Sequence, residues 1–306
     1  MATIATIIPI FAIIALGAFA RRWGFIPKTF LEPANRLVYY LAIPAMVFRA
    51  IAGASLHQEL NPGILLVTLA CVLTVCTAVF STAFLVRVKQ SRRGTFAQCS
   101  FHGNLGYIGF AVIFYYLGDS GLVRGSILAG FIMILQNLLS VVVLQIGADD
   151  DTQGSYIKRF VGRVLINPVI LSALLAIAYA AMGLPLPEIL NRALKILGGL
   201  ALPMALLLIG ASLSFSLVRD QLVGALVTSF IKILVMPALG CAVFFYFGYL
   251  TDDILPALIL LAAPPATMTY VFATEMKGDK DLAVAAISVG TVGSALSYIF
   301  WLQLLT

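Results

Sequence analysis

Charge-free stretches long enough to cross a bilayer recur along the chain, among them residues 1–20, 62–86, 125–148, 164–187, 196–218 and 282–306. About 20 apolar residues suffice for one helical crossing. Around these runs 61% of all residues are hydrophobic and 10% charged, with mean hydropathy +1.05. Soluble domains carry roughly 25% charged residues, so a soluble protein with a large helical core is excluded. The sequence is that of an all-α, polytopic integral membrane protein. Its net charge of +6 does not point to nucleic acid, because the basic residues sit in short loops between apolar runs. Cys71, Cys76, Cys99 and Cys241 fall inside apolar segments without paired spacing, so they read as small hydrophobes and not as a disulfide framework or metal site. Ala18-Phe19-Ala20 resembles a signal-peptidase site, but no basic region precedes the apolar run, and an uncleaved first helix is expected.

The segmentation predicts ten transmembrane helices: 3–20, 33–54, 62–86, 95–118, 124–147, 162–183, 195–215, 221–248, 254–274 and 282–304. Odd-numbered loops carry thirteen Lys and Arg, from Arg21, Arg22 and Lys28 to Lys277 and Lys280; even-numbered loops carry three, Arg124, Arg192 and Lys195. Cytoplasmic loops hold the excess of positive charge, so both termini are expected on the extracytoplasmic side of a bacterial plasma membrane. Asp149, Asp150 and Asp151 read as solvated acids of a loop, and Arg36 and Arg49 as anchors at the interfaces.

Two hexapeptides expose an internal repeat. LAIPAM at 41–46 and LALPMA at 200–205 lie 159 residues apart, each with a proline in an apolar run. The same offset carries the first span onto the sixth, the third onto the eighth and the fifth onto the tenth. Five helices per half require the halves to enter the membrane in opposite directions. That is a 5+5 inverted-topology repeat, an architecture of many secondary transporters. The expected halves are 1–148 and 159–306, joined by a cytoplasmic linker at 149–158. Pro44 and Pro203 would be the matched kinks of the second and seventh helices.

The fourth and ninth spans are interrupted at corresponding depth. Gly103, Gly106 and Gly109 with Asn104 loosen the fourth; Pro264 and Pro265, followed by Thr267, Met268 and Thr269, open the ninth. Proline lacks the amide hydrogen and clashes with the preceding turn. Opened backbone in hydrocarbon is tolerated only where it is buried in protein or lines a cavity. Two crossing broken helices would present half-helix N-termini, whose partial positive charge favours an anion such as a carboxylate.

At these residues the chain resembles the auxin efflux carrier family, including its bacterial organic-acid members. The matching stretches are Asn35, Tyr39-Tyr40 and Pro44; 103–109; Asn167-Pro168; Pro203 with 210–213; and 263–266 with Tyr270, Phe272 and Ala273. The resemblance runs end to end. It implies a bile-acid-symporter-like fold in which helices 1, 2, 6 and 7 form a scaffold and helices 3–5 and 8–10 a mobile transport domain. It also implies a substrate site at Asn104 and Tyr107, with Gln136 and Asn137 nearby and Thr267, Met268 and Thr269 across the crossing. Two positions depart from the family pattern: Ala111 stands where proline is usual, and His102 where arginine is common.

The implied function is secondary active transport of a small organic anion by an elevator-like mechanism, in a homodimer, with no cofactor or metal and with proton or sodium coupling open. Lys232, alone inside the eighth span, either snorkels to the cytoplasmic interface or faces the crossing to stabilise an opened carbonyl or an anionic substrate. His102 either couples protons or is a structural histidine. Gln136 and Asn137 are either ligand contacts or helix–helix glue. No Asp or Glu lies deep in a span, which weighs against a sodium–proton antiporter. A sodium-coupled symporter and a sensor that keeps the transporter fold are the competing readings. An intramembrane enzyme would need a motif such as His-Glu-x-x-His or Gly-x-Ser-x-Gly, and neither occurs.

Overall fold

Backbone that crosses hydrocarbon must satisfy its own hydrogen bonds, and this chain does so with helices. The structure is a computed structural model; it describes residues 2–53, 59, 61–146 and 167–305. The expected linker at 149–158, its three aspartates, His57 and the start of the sixth span lie outside the described residues. Among the described residues, six helical stretches are long and apolar enough to cross a membrane: Thr3–Arg22, Pro62–Leu85, Leu105–Ile146, Glu188–Ser212, Val218–Tyr246 and Lys280–Leu305, with a shorter apolar helix at Pro168–Ala181. The 42-residue stretch from Leu105 to Ile146 is broken at Gly118. Its φ of 72° lies in the left-handed region that favours glycine. The chain is therefore an all-helical, multi-pass membrane protein.

Two compact units emerge. The first comprises Met1–Pro62, Gly106–Phe131 and Ile166–Leu213; the second comprises Gly63–Leu105, Ile132–Leu165 and Ser214–Thr306.

In the first unit, helix α1 (Ala2–Arg22) packs along a late helix, Ala201–Ser212. Glycine at each side makes the approach possible. A Cβ on Gly17 would overlap the Leu207 carbonyl, and one on Gly210 would overlap the Ile14 carbonyl. Helix α2 (Lys28–Leu37) runs through a π-helical turn, Val38–Ala42, into α3 (Ile43–Ala52). Pro44 lies in the first turn of α3, two residues after the π-helical turn ends. The α3 helix packs on Pro168–Ala181 and on Glu188–Gly199, where Ser172 Oγ donates to Pro44 O at 2.6 Å. Pro203 sits just beyond Leu200, where the helix Glu188–Gly199 gives way to Ala201–Ser212.

Hydropathy places the start of three spans too late. The second begins at Lys28 rather than 33, entered through an extended Pro27, the fourth at Gln90 rather than 95, and the seventh at Glu188 rather than 195. The added turns are amphipathic, with Glu188, Asn191, Arg192 and Lys195 on them, so an apolar window passes them over. Arg49 is tied within this unit, donating to Asn191 Oδ1 at 3.1 Å and lying 3.9 Å from Asp119 Oδ1.

In the second unit, α4 (Pro62–Leu85) is followed by α5 (Gln90–Phe101), and α6 (Phe110–Ile146) enters it at Ile132. The helices Pro168–Ala181, Glu188–Gly199 and Ala201–Ser212 of the first unit are α7, α8 and α9. The second unit then continues with α10 (Val218–Phe230), a π-helical turn Ile231–Val235, α11 (Met236–Tyr246), α12 (Thr251–Leu261), α13 (Met268–Glu275) and α14 (Lys280–Leu305). Small side chains let these helices approach closely: Cys99, Ala225, Ala273, Ala283, Ala285 and Ala286 form one fully buried cluster.

The π-helical turn at 231–235 has an identifiable cause. Pro237 has no N–H to offer the Ile233 carbonyl, four residues back. That oxygen instead accepts from Ser297 Oγ at 2.6 Å and from Trp301 Nε1 at 3.1 Å, both on α14. The double variant Ser297→Ala, Trp301→Phe removes both donors. It is expected to lower stability by about 1–3 kcal/mol, the cost of an unpaired buried carbonyl, read as a lower melting temperature in detergent; an unchanged value would contradict this account.

Candidate functional site

The α5 helix ends at Phe101, and α12 ends at Leu261. Both ends fall where helix is disfavoured: at Gly103 and Asn104, poor helix formers, after the first, and at Pro264 and Pro265, which lack an N–H, after the second. The freed segments pair with each other. Asn104 N–H donates to Pro264 O at 2.8 Å, and Ala266 N–H donates to His102 O at 2.9 Å. Gly103 and Pro265 thus form an isolated antiparallel bridge, with extended backbone exchanging bonds where two helices are interrupted. Helix resumes at Leu105 on one strand of the bridge and at Met268 on the other.

Each break also strands carbonyls, and side chains collect them. Phe101 O has lost its helical donor, because Leu105 N–H turns back to Gly103 O; Gln136 Nε2 donates to it at 3.0 Å. Ile259 O has lost Ala263 N–H, which bonds Leu260 O instead; Tyr298 Oη donates to it at 3.1 Å. Leu261 O faces Pro265, which has no N–H, and Lys232 Nζ donates to it at 2.6 Å. Buried backbone polar groups are nearly always paired, and here three helices, α6, α14 and α10 with its π-helical turn, lend side chains to keep that so.

Lys232 is fully buried, and its ammonium is directed to an opened carbonyl. It packs against the bridge itself: a Cβ on Gly103 would lie 3.0 Å from both Lys232 Cε and Nζ. Gly290 of α14 serves the other strand, since a Cβ there would overlap the ring of Pro265.

His102 is buried, with Nδ1 2.9 Å from Ser140 Oγ, while Ser140 Oγ itself donates to Gln136 O at 2.7 Å. A hydroxyl has one proton to give. Ser140 spends it on Gln136 O, so His102 Nδ1 is the donor to Ser140, and in the neutral ring Nε2 carries the lone pair. Ser140→Ala removes that acceptor, and a loss of about 1 kcal/mol in stability is expected, measurable by thermal unfolding.

The remaining sequence-derived candidates fall as follows. Gln136 uses Nε2 on Phe101 O, and its Oε1 is buried without a partner. Asn137 is buried on the same helix. Thr269 Oγ1 donates to Ala266 O at 2.7 Å, Thr267 is half-buried at the start of α13, and Met268 is 38% exposed. Asn104 is buried at the bridge. Gly106, Tyr107 and Gly109 lie past the break in the π-helical turn Leu105–Gly109 and belong to the first unit. There Tyr107 Oη donates to Asn35 Oδ1 at 3.1 Å. Ser140, Tyr298 and Gly290 were not singled out from the sequence. Ser140 carries a faint signal as the residue four after Gln136; the other two carry none, being ordinary residues of apolar helices.

The sequence profile of the membrane transport protein family matches residues 2–302. The chain belongs to this family, the auxin efflux carriers. Among this carrier's relatives, an uncharacterized transporter of Methanothermobacter thermautotrophicus is 21% identical over 98% of this chain and 98% of its own length. An uncharacterized transporter of Methanocaldococcus jannaschii is 22% identical over 94% of each chain. A protein of Rhizobium meliloti named "Putative malonate transporter" is 22% identical over 94% of this chain and 90% of its own. In this auxin efflux carrier the bridge between Gly103 and Pro265 joins two helix breaks, and side chains hold three of the carbonyls opened there.

Proposed function

We propose that this auxin efflux carrier is a secondary active transporter of a small organic anion, a carboxylate, bound beside the bridge. The observation that carries this reading is the pairing of two helix breaks through Asn104 N–H and Ala266 N–H. On each strand the bridge leads straight into a helix N-terminus, where aligned peptide dipoles place partial positive charge. The basic side chain of Lys232 lies behind the bridge, and no Asp or Glu is buried among the described residues. The electrostatics therefore favour an anion. Asn104, Thr267 and Thr269 would orient it, with Gln136 and Asn137 in support. The relative named for malonate agrees with that chemistry.

Ten helices in two inverted sets of five would carry the site, in a bacterial plasma membrane, with both termini outside and two copies per assembly. The chain would work by alternating access, helices 3–5 and 8–10 moving against a scaffold of 1, 2, 6 and 7. Helix packing in the first unit supports the inverted repeat: α1 lies along α9, and α3 along α7. In repeat terms these are the pairings 1 with 7 and 2 with 6, which the 159-residue offset interchanges.

The test is a melting-temperature screen of purified protein against mono- and dicarboxylates with cationic and neutral controls, followed by counterflow of any hit in proteoliposomes. Saturable stabilisation by a carboxylate together with flux is expected. Stabilisation without flux would favour a sensor, and stabilisation by cations alone would overturn the reading.

A further inference from the structure

Among the described residues, six backbone positions take a left-handed φ. Four are glycine: Gly24, Gly118, Gly183 and Gly248. The other two are Arg87 and Lys277, both at φ 57°. In that region a Cβ crowds the following carbonyl, which is why glycine is the usual occupant. Arg87 and Lys277 each stand two residues past a helix end, after α4 at Leu85 and after α13 at Glu275. In both, the next residue turns back: Val88 N–H donates to Ala83 O at 3.0 Å, and Gly278 N–H donates to Ala273 O at 2.7 Å. Gly248 makes the same closing turn after α11, where Tyr249 N–H donates to Phe244 O at 3.1 Å. Glycine closes such an end without a steric penalty, yet these two ends carry a strained basic residue. Strain kept at a defined position points to a use for the side chain.

The two ends belong to one patch of the second unit. The chain from Arg87 enters α5 at Gln90, and Arg92 on its first turn pairs with Asp279 Oδ2 at 3.2 Å. Asp279 N–H donates to Thr95 Oγ1 at 3.0 Å, and a Cβ on Gly278 would lie 2.5 Å from that oxygen. The loop that carries Lys277 is thereby pressed onto the start of α5. Arg93 fixes the other loop: its guanidinium lies 4.8 Å over the Phe84 ring and donates to Val88 O at 3.0 Å. Residues 85–93 and 275–281 together hold six Lys and Arg against three Asp and Glu, and one of those acids, Asp279, is bound by Arg92. Arg87, Lys89, Lys277 and Lys280 are exposed. So are Phe84, Leu85 and Val86, the apolar turn that leads into Arg87. A ligand with an anionic head and an apolar body matches both parts.

We propose that this patch docks the headgroup phosphate of an anionic phospholipid. Arg87 and Lys277 are its principal contacts, Lys89 and Lys280 lie beside them, and the acyl chains run along Phe84, Leu85 and Val86. Guanidinium and ammonium groups both bind phosphate, the first in bidentate fashion, and clustered Lys and Arg at a membrane surface attract anionic lipid. A soluble phosphate would make no use of the exposed apolar turn. The leaflet follows from the orientation proposed above, which puts both loops on the cytoplasmic side; the docking depends neither on that nor on the carrier reading.

The experiment reads the melting temperature of the full chain in neutral detergent, titrated with phosphatidylglycerol, phosphatidylcholine or inorganic phosphate. Phosphatidylglycerol is expected to raise the wild-type value saturably by several degrees, and the other two to change it little. The pair Arg87→Gly, Lys277→Gly relieves both strained positions while deleting both charges. It is expected to melt at least as high as the wild type without lipid and to lose more than half of the phosphatidylglycerol shift. The pair Arg22→Gln, Lys28→Gln removes the same charge from another loop and is expected to keep the shift. Absence of a wild-type shift, or a glycine pair that keeps it in full, would overturn the proposal. So would a glycine pair that fails to fold or melts well below the wild type without lipid, because the basic residues would then serve the helix ends themselves. Equal stabilisation by inorganic phosphate would assign the effect to a soluble anion, and equal loss in the Arg22 and Lys28 pair would assign it to net charge; either result overturns the docking site.

Discussion

Gly210→Val is expected to abolish folding of the first unit. Helices α1 and α9 meet so closely that a Cβ on Gly210 would overlap the Ile14 carbonyl oxygen and lie 2.7 Å from its carbon and 3.0 Å from Ala18 N. These are backbone atoms of a continuous helix, so no rotamer change can relieve the overlap. Gly17 meets Leu207 in the same way across the same pair, so the helices cannot slide apart at one contact without losing the other. Interiors pack near crystal density and transmit such strain, and an overlap with rigid backbone belongs with the substitutions that exceed about 4–5 kcal/mol. Native domains have only about 5–15 kcal/mol to lose. Gly199 supplies the control on the adjoining helix: nothing lies within 4 Å of its Cβ position. Gly199→Ala is expected to be neutral or mildly stabilising, since alanine is the better helix former by about 1 kcal/mol. Size-exclusion profiles of fluorescently tagged protein should show a monodisperse peak for Gly199→Ala and aggregate for Gly210→Val. A monodisperse Gly210→Val protein with wild-type melting temperature would mean that α1 and α9 do not pack in this way.

The helical, multi-pass nature of the chain was legible because hydrocarbon imposes one rule on every span: apolar side chains around a self-bonded backbone. The places where that rule is broken were legible too. Gly103 and Asn104, with Pro264 and Pro265, are conspicuous because residues unfit for helix at membrane depth demand a compensation. What the sequence does not display is the compensation itself. The donors to Phe101 O, Leu261 O and Ile259 O lie 35, 29 and 39 residues away along the chain, on other helices. No periodicity links Tyr298 to Ile259 or Gly290 to Pro265; only the packed structure does. Lys232 stood out as a lone charge, yet its target depended on a π-helical turn that hydropathy cannot register. The late start assigned to the helix at Glu188 has the same origin, because its first turns are amphipathic and only its end is apolar. Charge-bearing side chains were thus read as exceptions, and backbone geometry decided what each exception serves.

Asn104→Asp is expected to reduce affinity for a carboxylate by about three orders of magnitude if the anion reading is right. The substitution is nearly isosteric, so it changes charge with little change of shape, and the Asn104 N–H bond to Pro264 O is made by backbone and survives it. Two like unit charges about 4 Å apart repel by roughly 4 kcal/mol at an effective dielectric constant near 20, and each 1.4 kcal/mol is tenfold in affinity. Asn104→Ala removes an amide without adding charge; losing one hydrogen bond to a charged ligand costs about 1.5–3 kcal/mol, or roughly one to two orders of magnitude. The order of the variants is therefore the decisive reading: wild type tightest, alanine weaker, aspartate weakest. Ligand-induced shifts in melting temperature, titrated for each variant after its unliganded melting temperature is matched to the wild type, would give that order. Should aspartate bind as well as alanine, the side chain at 104 does not face an anion, and the substrate must lie elsewhere along the bridge. Should aspartate improve binding of a cationic control, the sign of the site has been read wrongly, and Lys232 would then be shielded from it by the paired backbone of Gly103 and Pro265.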